Sequence, residues 1–547
     1  MTASSASGTP RRGPRSTPVT GTGTLIRLIL RRDGLWLGAW LLLAWGVVVG
    51  RAATLDATYP TAQARAARYA EVMVEVPMFR LFQGPAYGDT AAALFAQETF
   101  GGATIVAALG AIAFTVRHTR ADEEAGRAEL LRSAVCGRHA VLTAALAVVL
   151  GAGALLGVLS AVTLVALGLP AAGSSAFGLV CAGAVGVAAA LAAVAVQLGR
   201  HARTAGIGAF TVFFALHFVR GVSDLGGSGI HWIGWLVPNG WLQRVRPFAD
   251  ERWWALLPVL VLVIGAVGLA YRLSERRDLG SGLVPPRLGR ASAPARLRGP
   301  VALAWRLNRP MALAWLAGAF AIALPTGYGG SGAMEQYAGG ERMREWADAM
   351  GAADPGDAFF AYIAFAMGFP IAIYALMTVL RLPAEESDGT AEPLLAAPVT
   401  RARWAAGHLL VAAAVSAGLQ LALGAGFGLG SGLSSGRVAA ELVRMLTLTA
   451  GLIPAQWVMI GIAFAAFGAF GRRAPVVAWS ALIIAITVEF GQHLGWPQWL
   501  FLAFSPFAHV LPFYGPPHPA TLGTLVLLAA ALCAVGLLAL RRRDITS

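Results

Sequence analysis

No lysine occurs anywhere in this 547-residue chain; all 42 of its basic residues are arginine. A nucleotide-binding P-loop needs the Lys of G-x-x-x-x-G-K-[ST] to reach the phosphates, so an ATPase site of that kind is excluded. Charge of either sign is scarce. Only 13% of residues are charged, 57% are hydrophobic, and the mean hydropathy is +0.65, a composition too apolar for a soluble globule. The three cysteines, Cys136, Cys181 and Cys533, are scattered and two lie in apolar runs, which argues against a disulfide framework or a cysteine metal site. His217, His408 and His493 stand apart and offer no ligand spacing.

What the chain does have is a succession of apolar runs of about 20 residues, each long enough to cross a hydrocarbon core of about 30 Å. Residues 1–24, rich in Ser, Thr, Pro and Gly with Arg11, Arg12 and Arg15, read as a disordered cytoplasmic tail; the polar lead-in is too long for a signal peptide. The amphipathic stretch 24–34 reads as an interfacial helix that turns into a first span at about 35–50. Five further spans carry the first half to residue 271, and the third contains Gly153-x-x-x-Gly157, a spacing that permits close helix approach. Residues 272–300, basic and rich in Pro and Gly, read as a cytoplasmic linker. Residues 301–547 then replay 25–271: an entry helix, a polar outer segment at 325–357, and five more spans, one with Pro370 in its middle and one at about 446–470.

The expected fold is therefore all-α and membrane-embedded, about twelve transmembrane helices in two tandem six-helix halves with pseudo-two-fold symmetry. Placing both termini in the cytoplasm puts 30 Arg inside and 12 outside, with 12 acidic residues inside and 16 outside. The asymmetry follows the positive-inside rule. It assigns the net charge of +14 to loops and orientation, with no call for a nucleic-acid partner.

One short stretch occurs twice. Residues 120–135 read RADEEAGRAELLRSAV and residues 384–399 read AEESDGTAEPLLAAPV. Aligning Glu123 with Glu386 brings Gly126 onto Gly389 and Glu129 onto Glu392; after the extra Pro393, Leu130-Leu131 meet Leu394-Leu395. A Gly that ends an acidic turn, followed by E-x-L-L or E-P-L-L, predicts a helix break and then a short amphipathic helix on the membrane surface. A charged loop is ordinarily a solvated face; recurrence at equivalent places favours a docking face for a partner. Two other pieces recur: the loop 199–203 matches Gly471-Arg472-Arg473-Ala474, and Glu275-Arg276-Arg277-Asp278 after the sixth span matches Arg541-Arg542-Arg543-Asp544.

Together these features resemble the type-2 ABC exporter permeases, most of all the double-length actinobacterial permeases associated with export of polyketide-type antibiotics such as tetronasin. The resemblance covers nearly all of the chain beyond about residue 25. It implies that the acidic stretches couple to a separate ATP-binding cassette ATPase, two copies per chain, which holds ATP and Mg while this chain carries no cofactor. The coupling residues carried over are Glu123, its neighbour Glu124, Gly126, Glu129, Leu130 and Leu131, then Glu386, Gly389, Glu392, Leu394 and Leu395. The first copy lacks the Pro before its Val, having Ala134 where the second has Pro398. The implied output is export of a small hydrophobic drug across the cell membrane, with resistance as its consequence.

A pathway for such a molecule needs apolar and aromatic lining. Phe210, Phe213, Phe214 and Phe218 form one candidate stripe; Trp479, Ile483 and Ile486 form another, although ordinary helix packing also produces such stripes. Arg220 and Glu489, at nearly equivalent positions in the two halves, are candidates for an outer-gate pair. Two alternatives stay open. A proton-driven twelve-helix carrier places carboxylates within its spans, which are sparse here. A lipid-linked transferase needs a paired-carboxylate site, for which the acidic outer segment with Asp354 and Asp357 is the best support.

Overall fold

The computed structural model describes residues 17–70, 72–73, 80, 82–127, 136–225, 231–278, 280–284, 297–337, 355–491, 497–510 and 518–543. Among these residues all regular structure is helical, and eleven helical stretches are long and apolar enough to cross a membrane. The chain divides into two compact units, Met1–Leu288 and Gly289–Ser547.

The first unit contains α1 (Thr22–Ala53), α2 (Ala91–Val116), α3 (Ala140–Ala166), α4 (Ala171–Leu198), α5 (Ala202–Leu225) and α6 (Leu256–Glu275). The expected interfacial helix and first span are one continuous helix. At 1.5 Å per residue α1 is about 48 Å long, so its charged first turns extend past the apolar layer without a break. Its buried residues, Leu25, Ile29, Asp33, Leu37, Trp40, Ala44, Val48 and Ala52, recur every three or four positions along one stripe. That stripe packs on α2 and α3. Trp40 lies against Gly110 and donates from Nε1 to the Val106 carbonyl at 3.1 Å.

The hub of this unit is α4, which touches α2, α3, α5 and α6. Its Ala- and Gly-rich sequence explains the role, because small side chains bring helix backbones close where lipid supplies no hydrophobic drive between helices. The Gly157 predicted to permit close approach does so: a Cβ there would lie 2.7 Å from the Gly178 carbonyl oxygen of α4.

The second unit contains α7 (Pro300–Tyr337), α8 (Pro355–Val379), α9 (Arg401–Ser435), α10 (Val438–Ala450), α11 (Ile453–Phe470), α12 (Ala474–Gly491) and α13 (Pro519–Arg542). The entry helix and span are again continuous, and α8 runs unbroken through Pro370. The span expected at 446–470 is instead two helices, α10 and α11, parted at Gly451-Leu452. Pro454, which lacks an N–H, sits in the first turn of α11 where that donor is dispensable. The 3₁₀ turn Gly471–Arg473 separates α11 from α12, although the whole stretch Val438–Glu489 counts as a single candidate span. In this unit α9 packs on α7, α8, α10, α11 and α13, and α11 packs on α8, α9, α12 and α13, so the two share the centre.

The start of the expected linker is folded onto the first unit. Leu283 N–H donates to the Gln197 carbonyl at 3.1 Å, and Val284 N–H donates to the Leu198 carbonyl at 3.2 Å.

Candidate functional site

In the first unit α2 continues through a π-helical turn, Arg117–Ala121, into Asp122–Glu124. Such wide turns re-aim side chains and recur at functional positions. Here the turn buries His118, Thr119 and Arg120. Arg120 Nη1 donates to Glu123 at 2.8 Å, and its other nitrogens donate to the carbonyls of Gly199 and Ser281. Glu123 is not displayed to solvent: its side chain is 7% exposed. It accepts from both Nη atoms of Arg277 at 2.8 Å and from the Gly280 N–H at 2.7 Å. Its neighbour Glu124 is exposed and lies 2.9 Å from His201 Nδ1. Gly126 ends the turn at φ +71°, a left-handed conformation that favours glycine. The expected coupling residues Glu129, Leu130 and Leu131 lie outside the described residues.

The second copy is described throughout. A helix over Arg381–Ser387 ends at a turn in which Gly389 has φ +70°, and the short helix Glu392–Ala396 follows, as the pattern of the sequence predicts. Glu386 is buried and accepts from Arg543 Nη2 at 2.6 Å. Glu385 accepts from Trp404 Nε1 at 3.0 Å and lies 3.3 Å from His408 Nε2. Glu392 is exposed, while Leu394 and Leu395 are half-buried against the core of the unit. In both copies one glutamate therefore points inward to an arginine that follows the last helix of its unit. The exposed glutamates are Glu124 and Glu392. Arg277 and Arg543 were absent from the site expected from sequence, although the repetition of their surroundings was visible.

The other candidates are dispersed. Phe213 is fully buried in the core of the first unit, so it has no open surface there; Phe210, Phe214 and Phe218 are half-buried, with the Phe210 and Phe214 rings stacked at 6.0 Å. On α12, Ile483 is exposed, whereas Trp479 and Ile486 pack against the second unit's core. Arg220 has a carboxylate partner within its own helix, Asp224 at 3.1 Å, and donates to the Phe82 carbonyl at 3.1 Å. The adjacent His217 lies 3.1 Å from that same carbonyl through Nε2, and Asn239 Nδ2 faces its Nδ1 at 3.1 Å. Glu489 is buried on α12. Asp357 is bound by Arg444 at 2.6 Å, and Asp354 and His493 lie outside the described residues.

Near the other end of α2, Glu98 gathers three elements. It accepts from Arg51 of α1, from Arg68 at 2.9 Å and from the Tyr59 hydroxyl at 2.5 Å. Burial and then the Glu98 hydrogen bond push the Tyr59 hydroxyl up to about 12, so it remains a donor at neutral pH.

Long apolar helices whose charges gather near their ends define a multi-pass helical membrane protein. Residues 297–541 match the family described as the multidrug efflux system permease Rv1217c, C-terminal domain. The chain is also 38% identical over 536 residues, 97% of its own length and 96% of the relative's, to the multidrug efflux system permease protein Rv1217c of Mycobacterium tuberculosis (strain ATCC 25618 / H37Rv). The chain belongs to this family of multidrug efflux system permeases.

Proposed function

We propose that the chain is the permease subunit of an ATP-driven exporter of the type-2 ABC class, moving a small hydrophobic drug or polyketide-type antibiotic out of the cell while a separate subunit hydrolyses ATP. The observation that carries this reading is the recurrent acidic stretch. Two aligned glycines adopt nearly the same left-handed backbone, φ +71° and +70°, each after an inward glutamate and beside an exposed acidic turn. A paired docking face of this form suits two copies of one ATPase, with ATP and Mg bound there. On this reading α11 and α12 are separate crossings, six in each half, and the arginine asymmetry of the loops supports placing both termini in the cytoplasm, with the halves related by pseudo-two-fold symmetry.

The proton-driven alternative is less well supported. Asp33, Glu98 and Asp224 are each engaged by arginine, whereas a proton relay needs a carboxylate that is open to exchange. For a transferase, Asp357 is tied through its Oδ1 to Arg444, which sets it in an ion pair.

The test is drug accumulation in inside-out membrane vesicles that hold the chain and its ATPase. Uptake should start on addition of ATP and persist when a protonophore collapses the proton gradient. Uptake that needs the gradient and ignores ATP would overturn the reading.

A further inference from the structure

We infer that each unit contains an internal latch, Glu123 with Arg277 and Glu386 with Arg543, that carries displacement of the acidic stretch to the last helix of the unit. The inference rests on the reading of those stretches as the ATPase face, and it assigns to two arginines a positioning role in coupling.

A surface ion pair contributes about 0–1 kcal/mol and carries no mechanical information. Both pairs differ in burial, and the first differs also in number of bonds. The carboxylate side chains are 7% and 3% exposed, and the arginines 14% and 20%. Arg277 grips Glu123 with two parallel bonds, the geometry that makes guanidinium–carboxylate contacts directional.

Each arginine also stands at the exit of a long helix. Arg277 follows α6 by two residues, and the Arg543 N–H still donates to the Ala539 carbonyl in the ladder of α13.

The far end of each acidic segment is tied to the same place. Arg138, at the entry to α3, donates from Nη2 to the Glu275 carbonyl at 2.6 Å; Arg401, at the start of α9, donates from Nη1 to the Arg543 carbonyl at 2.7 Å. The segment between α2 and α3 is thus held at both ends on the exit of α6, and the segment between α8 and α9 on the exit of α13. A push on either segment meets a rigid helix end at two points.

The latch also reaches the turn before α5 in the first unit and the turn before α12 in the second. Arg277 Nε donates to Gln197 Oε1 at 2.7 Å at the end of α4, and Arg543 lies over the Phe467 ring at 5.1 Å near the end of α11. At Gly471, φ +53°, a side chain would collide with the Arg543 guanidinium, so the turn leaves room for the arginine. Two different sets of contacts in the two units reach the same arrangement of three cytoplasmic elements.

The experiment uses the full chain with its co-purified ATPase and reads three quantities: ATPase capture, basal and drug-stimulated hydrolysis, and drug efflux at equal membrane level. Arg277→Gln and Arg543→Gln should keep ATPase capture and basal hydrolysis, with a fall in melting temperature softened because the Gln amide can still donate to the carboxylate. Drug stimulation and efflux should fall about tenfold or more, the scale of one lost charge-assisted hydrogen bond. Exchanging the partners, Glu386→Arg with Arg543→Glu, should recover efflux that each reversal alone abolishes.

Efflux within about twofold of wild type in both Gln variants overturns the latch, as does a double exchange no better than the worse single reversal. Parallel loss of melting temperature and basal hydrolysis in the Gln variants assigns the arginines a merely structural role and overturns it as well. Failure of the unaltered chain to capture any ATPase counts against the proposed function, while the efflux readings of the exchange still decide the latch.

Discussion

Asp33 occupies the one position in the buried stripe of α1 where an apolar residue would be expected. Its carboxylate is held by Arg117 at 2.7 Å and by Arg32 at 2.9 Å, with His118 beside it. Arg117 is half exposed, so its guanidinium can turn to water if the carboxylate is lost. The pair Arg220–Asp224 has no such outlet, since its side chains are 0% and 1% exposed. Removing one member of a fully buried pair leaves an uncompensated charge and costs about 3–5 kcal/mol. Asp224→Asn is therefore expected to lower the melting temperature of the purified protein substantially, and Asp33→Asn much less. Equal shifts for the two variants, measured in the same detergent, would contradict this difference in burial.

At the scale of the element, the turn inside each acidic stretch is what the glycines make possible. A residue with a Cβ held at the φ of Gly389 costs about 1–2 kcal/mol, and Asn tolerates the region better than Ala. Among the described residues no neighbour lies within contact of a Cβ built at Gly126 or Gly389, so backbone conformation sets the cost there. Gly389→Ala should shift the helix Glu392–Ala396 and weaken ATPase capture, with Gly389→Asn closer to wild type. Capture by the Ala variant at the wild-type level would show that the turn does not position the docking face.

The same scale shows where periodicity could and could not be read. Thr90 and Thr400 cap α2 and α9 through their hydroxyls, at 3.1 and 3.3 Å, as their places before apolar runs imply. The entry helices are continuous where the sequence leaves a bend open, because an arginine-rich turn followed by an apolar run looks the same whether the helix bends at the interface or continues through it. The break between α10 and α11 falls in a stretch apolar enough to read as one span, although Gly451 and Pro454 mark it.

For the whole molecule, each unit of the chain has its own core and its own acidic stretch. If the two halves together make one translocation unit, the active assembly should contain one copy of this chain and two ATPase subunits. Native mass spectrometry of the drug-stimulated complex measures this directly, and two copies of the chain in the smallest active species would refute it.

Composition alone was enough to determine a helical membrane protein, because an excess of apolar side chains over charge leaves few other ways to satisfy a backbone. The double acidic stretch was legible too, since recurrence survives in a string of letters. The partners of its glutamates were not. Glu123 and Arg277 are 154 residues apart, and Glu386 and Arg543 are 157 apart, so nothing local distinguishes an inward carboxylate from the exposed Glu124 beside it. Only the packing of α6 on α4 and of α13 on α11 decides which charges meet, because ion pairing depends on where helix ends arrive in space.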